Sequence, residues 1–184
     1  MRKKIGFYRK NNYSNRGLVV LFEKLQKLRI ESLDKDWQKK KFVKELSSLE
    51  KSARKKVLTL LKNKKLKTSD DFLRAADIFH HGPDFKSYMI AVALAAISNH
   101  LGEPWGKNHY AVAIDRLLQN LGLLQHFGSQ YSKKSGRWQL DNVDIKTTDT
   151  ERAEYGVEPL HILKKRAKDM DKGVISWKTE LKDQ

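Results

Sequence analysis

No cysteine occurs anywhere in the 184 residues, which excludes disulfides, a thiolate nucleophile and cysteine zinc sites and fits a reducing compartment. Long apolar runs are missing as well: the strongest, Met89 to Ile97, is far short of a membrane span. The opening MRKKIGFYRKNNYSNRG is basic but lacks the apolar stretch and small-residue cleavage site of a secretory signal. A cytoplasmic protein that does not enter a membrane is expected. Several chemical signatures are also absent. There is no GxSxG elbow, no P-loop and no GxGxxG, and FGSQ (127–130) is not an elbow leading into a helix. The six histidines show neither HExxH nor HxH spacing, so no metal and no cofactor is expected.

Acidic residues are scarce in the first third. Residues 1–67 carry 22 Lys and Arg against 6 Asp and Glu, whereas residues 68–184 carry 16 of each, so the whole +16 net charge lies in the first part. This asymmetry divides the chain into a basic, largely helical arm (1–67), a compact helical domain (68–172) and a tail (173–184). In the arm, Lys39, Lys40, Lys41, Arg54, Lys55 and Lys56 are candidate contacts to the phosphates of nucleic acid or another polyanion, with Tyr8, Tyr13 and Trp37 available to stack. The same lysines equally suit a solvated helix face, and an amphipathic arm also suits pairing with a protein partner or a second copy.

What is present is helical periodicity. Leu18, Leu21, Phe22, Leu25 and Leu28 recur at helical spacing, and so do the apolar positions from Trp37 to Leu61. TSDDF (68–72) reads as a helix start, with Ser69 as cap and two aspartates complementing the helix dipole. Asp84 caps the next helix, and Pro104 suits the first turn of a third. Gly82, Gly102 and Gly122, twenty residues apart, end successive helices, Gly82 being placed for a left-handed turn. Short turns between similar helices imply antiparallel packing. The expected fold is therefore all-α, an antiparallel bundle or a short helical-repeat-like stack, with a small hairpin or irregular segment near 127–145. The continuously apolar helix 85–100 is expected at its centre. TDTE (148–151) fits a capping box, opening a short helix that ends at Gly156.

Some polar residues do not belong to this pattern. Asp115 shares a helix face with Ala111 and Leu118 and needs a partner if ionised there. Arg116 points about 100° away, toward His109 and Val112. His80 and His81 fall at a helix C-terminus, where the negative end of the dipole is expected to favour protonated imidazole and raise its pKa, or where the rings donate to the last free carbonyls. The stretch LLQHFGSQY (123–131) is too apolar for a solvated linker and too polar for a core strand.

HHG (80–82), AIDRLLQNLGLLQHFGSQY (113–131), RWQL (137–140) and TDTERAEYGVEPL (148–160) together resemble an uncharacterised, mostly bacterial family known as a domain of unknown function. Its hallmarks are a His-Gly or His-Ala step, an Asp-Arg pair, a Gln-x-Phe/Tyr-Gly-Thr-Gln signature and a late Asp-x-x-Arg. The resemblance covers about residues 70–165, with Ser129 in place of the usual Thr and Leu124 in place of a common Pro. It implies His81, Asp115, Arg116, Gln125, Gly128, Gln130, Asp149 and Arg152 as the family's positions, and no established activity. Antiparallel helices allow these residues to meet, with Arg152 as the cation for Asp115. The expected site then has His81, Asp115 and Arg152 as catalytic residues and Arg116, Gln125, Ser129, Gln130 and Asp149 around a small polar ligand. A hydrolase- or transferase-like enzyme, a binding pocket and a buried network that only locks the helices together all remain open at this point.

Overall fold

The computed structural model describes residues 14–34 and 39–172. Tyr8, Tyr13, Trp37 and the 173–184 tail lie outside them, as do the side chains of Lys39, Lys40 and Lys41. Among the described residues there are seven helices and one hairpin: α1 (Arg16–Asp34), α2 (Lys39–Lys62), α3 (Ser69–His80), α4 (Phe85–His100), α5 (Gly106–Asn120), β1 (Tyr131–Lys134), β2 (Arg137–Leu140), α6 (Asp149–Glu154) and α7 (Leu160–Asp171). The protein is an all-α helical bundle with a small hairpin, β1 pairing antiparallel with β2 from Tyr131 opposite Leu140 to Lys134 opposite Arg137.

The helix spacing of the basic segment does more than make an arm. Leu18, Phe22 and Leu25 of α1 and Ala53, Val57 and Leu60 of α2 are buried in one core with Ala75, Ile78 and Phe79 of α3 and Ala91 and Leu94 of α4. Burying a large apolar side chain contributes about 1.5–3 kcal/mol. The five large ones from α1 and α2 together contribute on the order of 10 kcal/mol, as much as the entire stability of a typical domain. Residue 67 is therefore not a domain boundary, and α1 and α2 are structural parts of the bundle. Polar ties reinforce this: Ser14 Oγ donates to Asp70 (2.7 Å) and the Asn15 N–H to Asp71 (2.7 Å), while Arg74 pairs with Asp70.

Three local expectations are corrected. Thr68, not Ser69, caps α3, in a capping box closed by Asp71. Gly82 is not left-handed; a Cβ there would run into the side chain of Ser87, so close approach of the α3–α4 turn requires glycine. The 85–100 helix is not central either. It turns Ala91, Leu94 and Ala95 inward but leaves Phe85, Met89 and Ile97 exposed, whereas α3 is enclosed by α1, α2, α4 and α5. A helix apolar all round carries no face preference, so its composition could not say which side turns inward. The cap at Asp84, the capping box at Thr148 and the turn at Gly156 (φ +66°) form as expected.

A second, smaller core joins Ala111 of α5 to Phe127, Val157 and Leu163. Since Ala113 of α5 belongs to the first core, α5 is the element that connects the two.

Candidate functional site

The 123–131 stretch is built around one carboxylate. Asp115 is fully buried and accepts the backbone N–H groups of His126, Phe127, Gly128 and Ser129, each at 2.8 Å. Four donors occupy about all the lone-pair sites of a carboxylate, so Asp115 has no acceptor capacity left for a substrate. Successive N–H groups turned inward form an anion nest, here filled by a side chain. Gly128 (φ +92°) permits that curvature; a Cβ there would sit 3.1 Å from Leu163 Cδ1. The leucines of the stretch do not anchor it: Leu123 and Leu124 are exposed, and Phe127 alone reaches the core.

Gln125, also fully buried, finishes the same loop. Its Nε2 donates to the carbonyls of Gln130 (3.1 Å) and Asp141 (2.9 Å), and its Oε1 accepts the Gln130 N–H (2.7 Å). The buried Arg152 does not pair with Asp115. It grips the loop from the opposite polarity, donating to the carbonyls of Phe127 (2.9 Å) and Thr147 (2.7 Å) and to Asp149 (3.1 Å). Asp149 in turn accepts the N–H of Leu160 (2.8 Å), fixing the start of α7. Asp115, Gln125, Asp149 and Arg152 thus form a connected polar framework, with Arg152 Nη2 the one buried atom among them that has no hydrogen-bond partner among the described residues. His81 makes no side-chain hydrogen bond to any of them among the described residues.

The framework does aim one outward group. Gln130 Oε1 accepts from both Nε and Nη2 of Arg116 (3.2 and 3.1 Å), and Gln130 Nε2 donates to Ser129 Oγ (2.9 Å). Arg116 has no carboxylate partner among the described residues. Its positive charge acts on both His80 and His81, whose rings stand edge-to-face with centroids 5.1 Å apart. His109, two helical turns before Arg116 on the same face, completes the cluster. Its Nδ1 lies 3.3 Å from the Trp105 carbonyl, which can only accept, so Nδ1 carries the proton and Nε2 is left toward Asp77 (3.9 Å).

The surroundings are basic. Arg29 donates to Asp77 (2.6 Å) and Glu50 (3.2 Å), and Arg54 reaches Glu50 (3.9 Å) and the His81 carbonyl (3.3 Å). Asp77 and Glu50 match Arg29 and Arg54, which leaves the charge of Arg116 uncompensated. All three imidazoles titrate low, so the raised pKa expected of His80 and His81 at a helix C-terminus is overturned, desolvation and nearby cations outweighing the dipole. Burial is the main cause for His80, aided by His81 and Arg116, and its Nδ1 is buried with no hydrogen-bond partner among the described residues. Burial also lowers His109, outweighing the opposite pull of Asp77. For His81 desolvation is followed by Arg29 and Arg116, and since the residue as a whole is exposed, the two cations are the effective cause. These histidines are neutral near pH 7.

Of the expected site residues, His81, Arg116, Ser129 and Gln130 belong to this cluster and the other four support it from beneath. His80, His109, Arg29 and Asp77 were not expected in it. The seven-residue spacing of His109 and Arg116 was the available signal. Of the basic residues, Lys55 and Lys56 are exposed, whereas Arg54 is committed to Glu50 and His81. Among the described residues no group of three or more His, Asp or Glu is arranged to hold a metal, and no helix is long and apolar enough to cross a membrane. Comparison of the chain with protein-family models, with curated proteins and with solved structures finds no match.

Proposed function

We propose that the chain is a hydrolase- or transferase-like enzyme whose His80–His81–His109–Arg116 cluster binds an anionic ester and moves protons on it. One observation carries this reading: an arginine held in place by Gln130, without a carboxylate partner among the described residues, lies within electrostatic reach of two histidines whose protonation it disfavours. A fixed guanidinium favours a planar or tetrahedral oxyanion through paired N–H donors. A neutral imidazole takes the proton of the attacking water or hydroxyl as its oxygen bonds to the ester's central atom, and the imidazolium so formed returns that proton to the ester oxygen whose bond breaks. Arg116 meets the charge that develops on the substrate.

Phosphate esters are the favoured class, and nucleic acid the favoured polyanion. The basic helix α2 borders the cluster through the contact of Arg54 with the His81 carbonyl, so exposed Lys55 and Lys56 continue the positive surface away from it. Binding of nucleic acid without chemistry is the second reading, and it rests on that same continuity. A cytoplasmic location and kinship with the family that residues 70–165 resemble belong to this proposal too.

Cleavage of an activated phosphodiester and of labelled RNA tests the reading. Arg116→Gln and His81→Gln are each expected to lower kcat/KM by about 100-fold or more with the circular dichroism spectrum unchanged. Activity within about twofold of the parent in Arg116→Gln would remove Arg116 from the chemistry.

A further inference from the structure

Tyr110 and Ile114 leave α5 about 100–160° around the helix from His109 and Arg116. On that other face the 125–130 loop and α6 enclose a cleft of about 320 Å³, walled by Tyr110, Phe127 and Tyr155, with His126, Glu151 and Glu154 completing it. The wall is continuous: Tyr155 stacks on Tyr110 (centroids 5.8 Å, 29° between planes) and leans on Phe127 (4.7 Å, 46°), and His126 meets Phe127 edge-to-face at 4.6 Å. The Asp115 nest fixes this wall by holding the backbone of His126 and Phe127.

The charge of the cleft is opposite to that of the chain. Glu151 is pinned by the Thr148 N–H (2.7 Å) and hydroxyl (2.9 Å), bonds that hold its pKa below the ordinary carboxylate range. Glu154 has no hydrogen bond or ion pair among the described residues. The hydroxyls of Tyr110 and Tyr155 have no partner there either. Arg152, the cation in the same helix, is buried and bonds backbone carbonyls and Asp149; its charge reaches Glu151 but makes no ion pair with it or with Glu154. His126 Nδ1 shares a hydrogen bond with Thr147 Oγ1 (3.1 Å).

We propose that this cleft binds an organic ammonium group, with Tyr110, Phe127 and Tyr155 supplying ring surface and Glu151 and Glu154 the countercharge. Ring faces carry negative potential and attract alkylated ammonium ions, which shed water readily. A strongly hydrated metal ion finds too few oxygen or nitrogen ligands here, and a neutral ligand would leave Glu154 unmatched. The ammonium belongs either to a free amine or to a lysine side chain of a protein, and the chemistry of the cleft is the same for both.

Titration calorimetry of the full chain with choline, with its uncharged isostere 3,3-dimethylbutanol and with a trimethyllysine peptide tests this. Choline is expected to bind saturably and at least about tenfold more tightly than the isostere. Glu154→Gln, at an exposed position, should weaken choline by about two- to fivefold, and Tyr155→Leu by about tenfold or more. A peptide tighter than choline assigns the site to a protein lysine and a weaker one to a free amine; both support it. Absence of saturable choline binding, equal affinity for the isostere, or no effect of Glu154→Gln overturns it. Because the cleft and the histidine–arginine cluster occupy different faces of α5, Arg116→Gln should leave choline binding unchanged, so either reading can fail alone.

Discussion

Asp115→Asn separates a structural carboxylate from a catalytic one. The native side chain satisfies four backbone N–H groups at 2.8 Å, two on each oxygen. Asparagine keeps one carbonyl oxygen and places an NH2 against the other pair of donors. Two charge-assisted bonds are lost, each worth about 1.5–3 kcal/mol, and two buried N–H groups are left facing a donor. Relief from burying a charge offsets part of this, leaving a net loss of about 3–5 kcal/mol. For a chain of this length each kcal/mol lowers Tm by about 2–4 °C, so a loss near 4 kcal/mol means a fall of roughly 8–16 °C. Urea and thermal unfolding followed by circular dichroism provide the assay. A loss below about 1 kcal/mol would show that the nest does not hold the loop. Unchanged stability with abolished activity would return Asp115 to the chemistry, against the framework described above.

Three further outcomes follow from the same geometry. The folded state keeps His80 and His109 from protonating, so the unfolded chain binds more protons below its histidine pKa of about 6.5. Stability should be flat above that pH and fall as pH drops below it, by up to about 1.4 kcal/mol per pH unit for each proton withheld; urea midpoints that do not change between pH 7.5 and 5.5 would refute this. A chain starting at Thr68 loses the α1 and α2 side chains of the main core and should be unfolded or aggregated, whereas a cooperative unfolding transition would restore the separable-arm picture. Leu25→Ala, at a fully buried position, should cost about 2–5 kcal/mol, and a neutral result would place α1 outside the core.

The helices were legible because their apolar positions repeat at helical spacing, and the hairpin because the turn-rich SKKSG (132–136) precedes RWQL, which alternates. The role of the basic segment was not. Charge counts by residue, but burial counts by face: the lysines of α1 and α2 dominate the composition while Leu18, Leu25 and Val57 decide the packing. The candidate site was half legible. Asp115 and Gln125 stood out as polar residues in apolar company, and that company is what enclosed them. A sequence shows that such a residue needs partners but not whether those partners are side chains or backbone. Backbone N–H groups occur at nearly every position, so the nest leaves no compositional trace. The Arg152 expectation failed for the same reason, since carbonyls took the place of the carboxylate. His80 and His81 come from the end of α3 and His109 and Arg116 from α5, and only the packing of α5 against α3 brings them to one place.

The central claim is that Arg116 and its neighbouring histidines form an anion site. Histidine-labelled NMR spectra recorded during titration with inorganic phosphate test it most directly, since bound anion favours the imidazolium form. The account predicts saturable shifts of the His80 and His81 resonances, a rise in their pKa values with phosphate, and loss of both effects in Arg116→Gln. Histidine resonances that ignore phosphate, or that respond equally in Arg116→Gln, would contradict it.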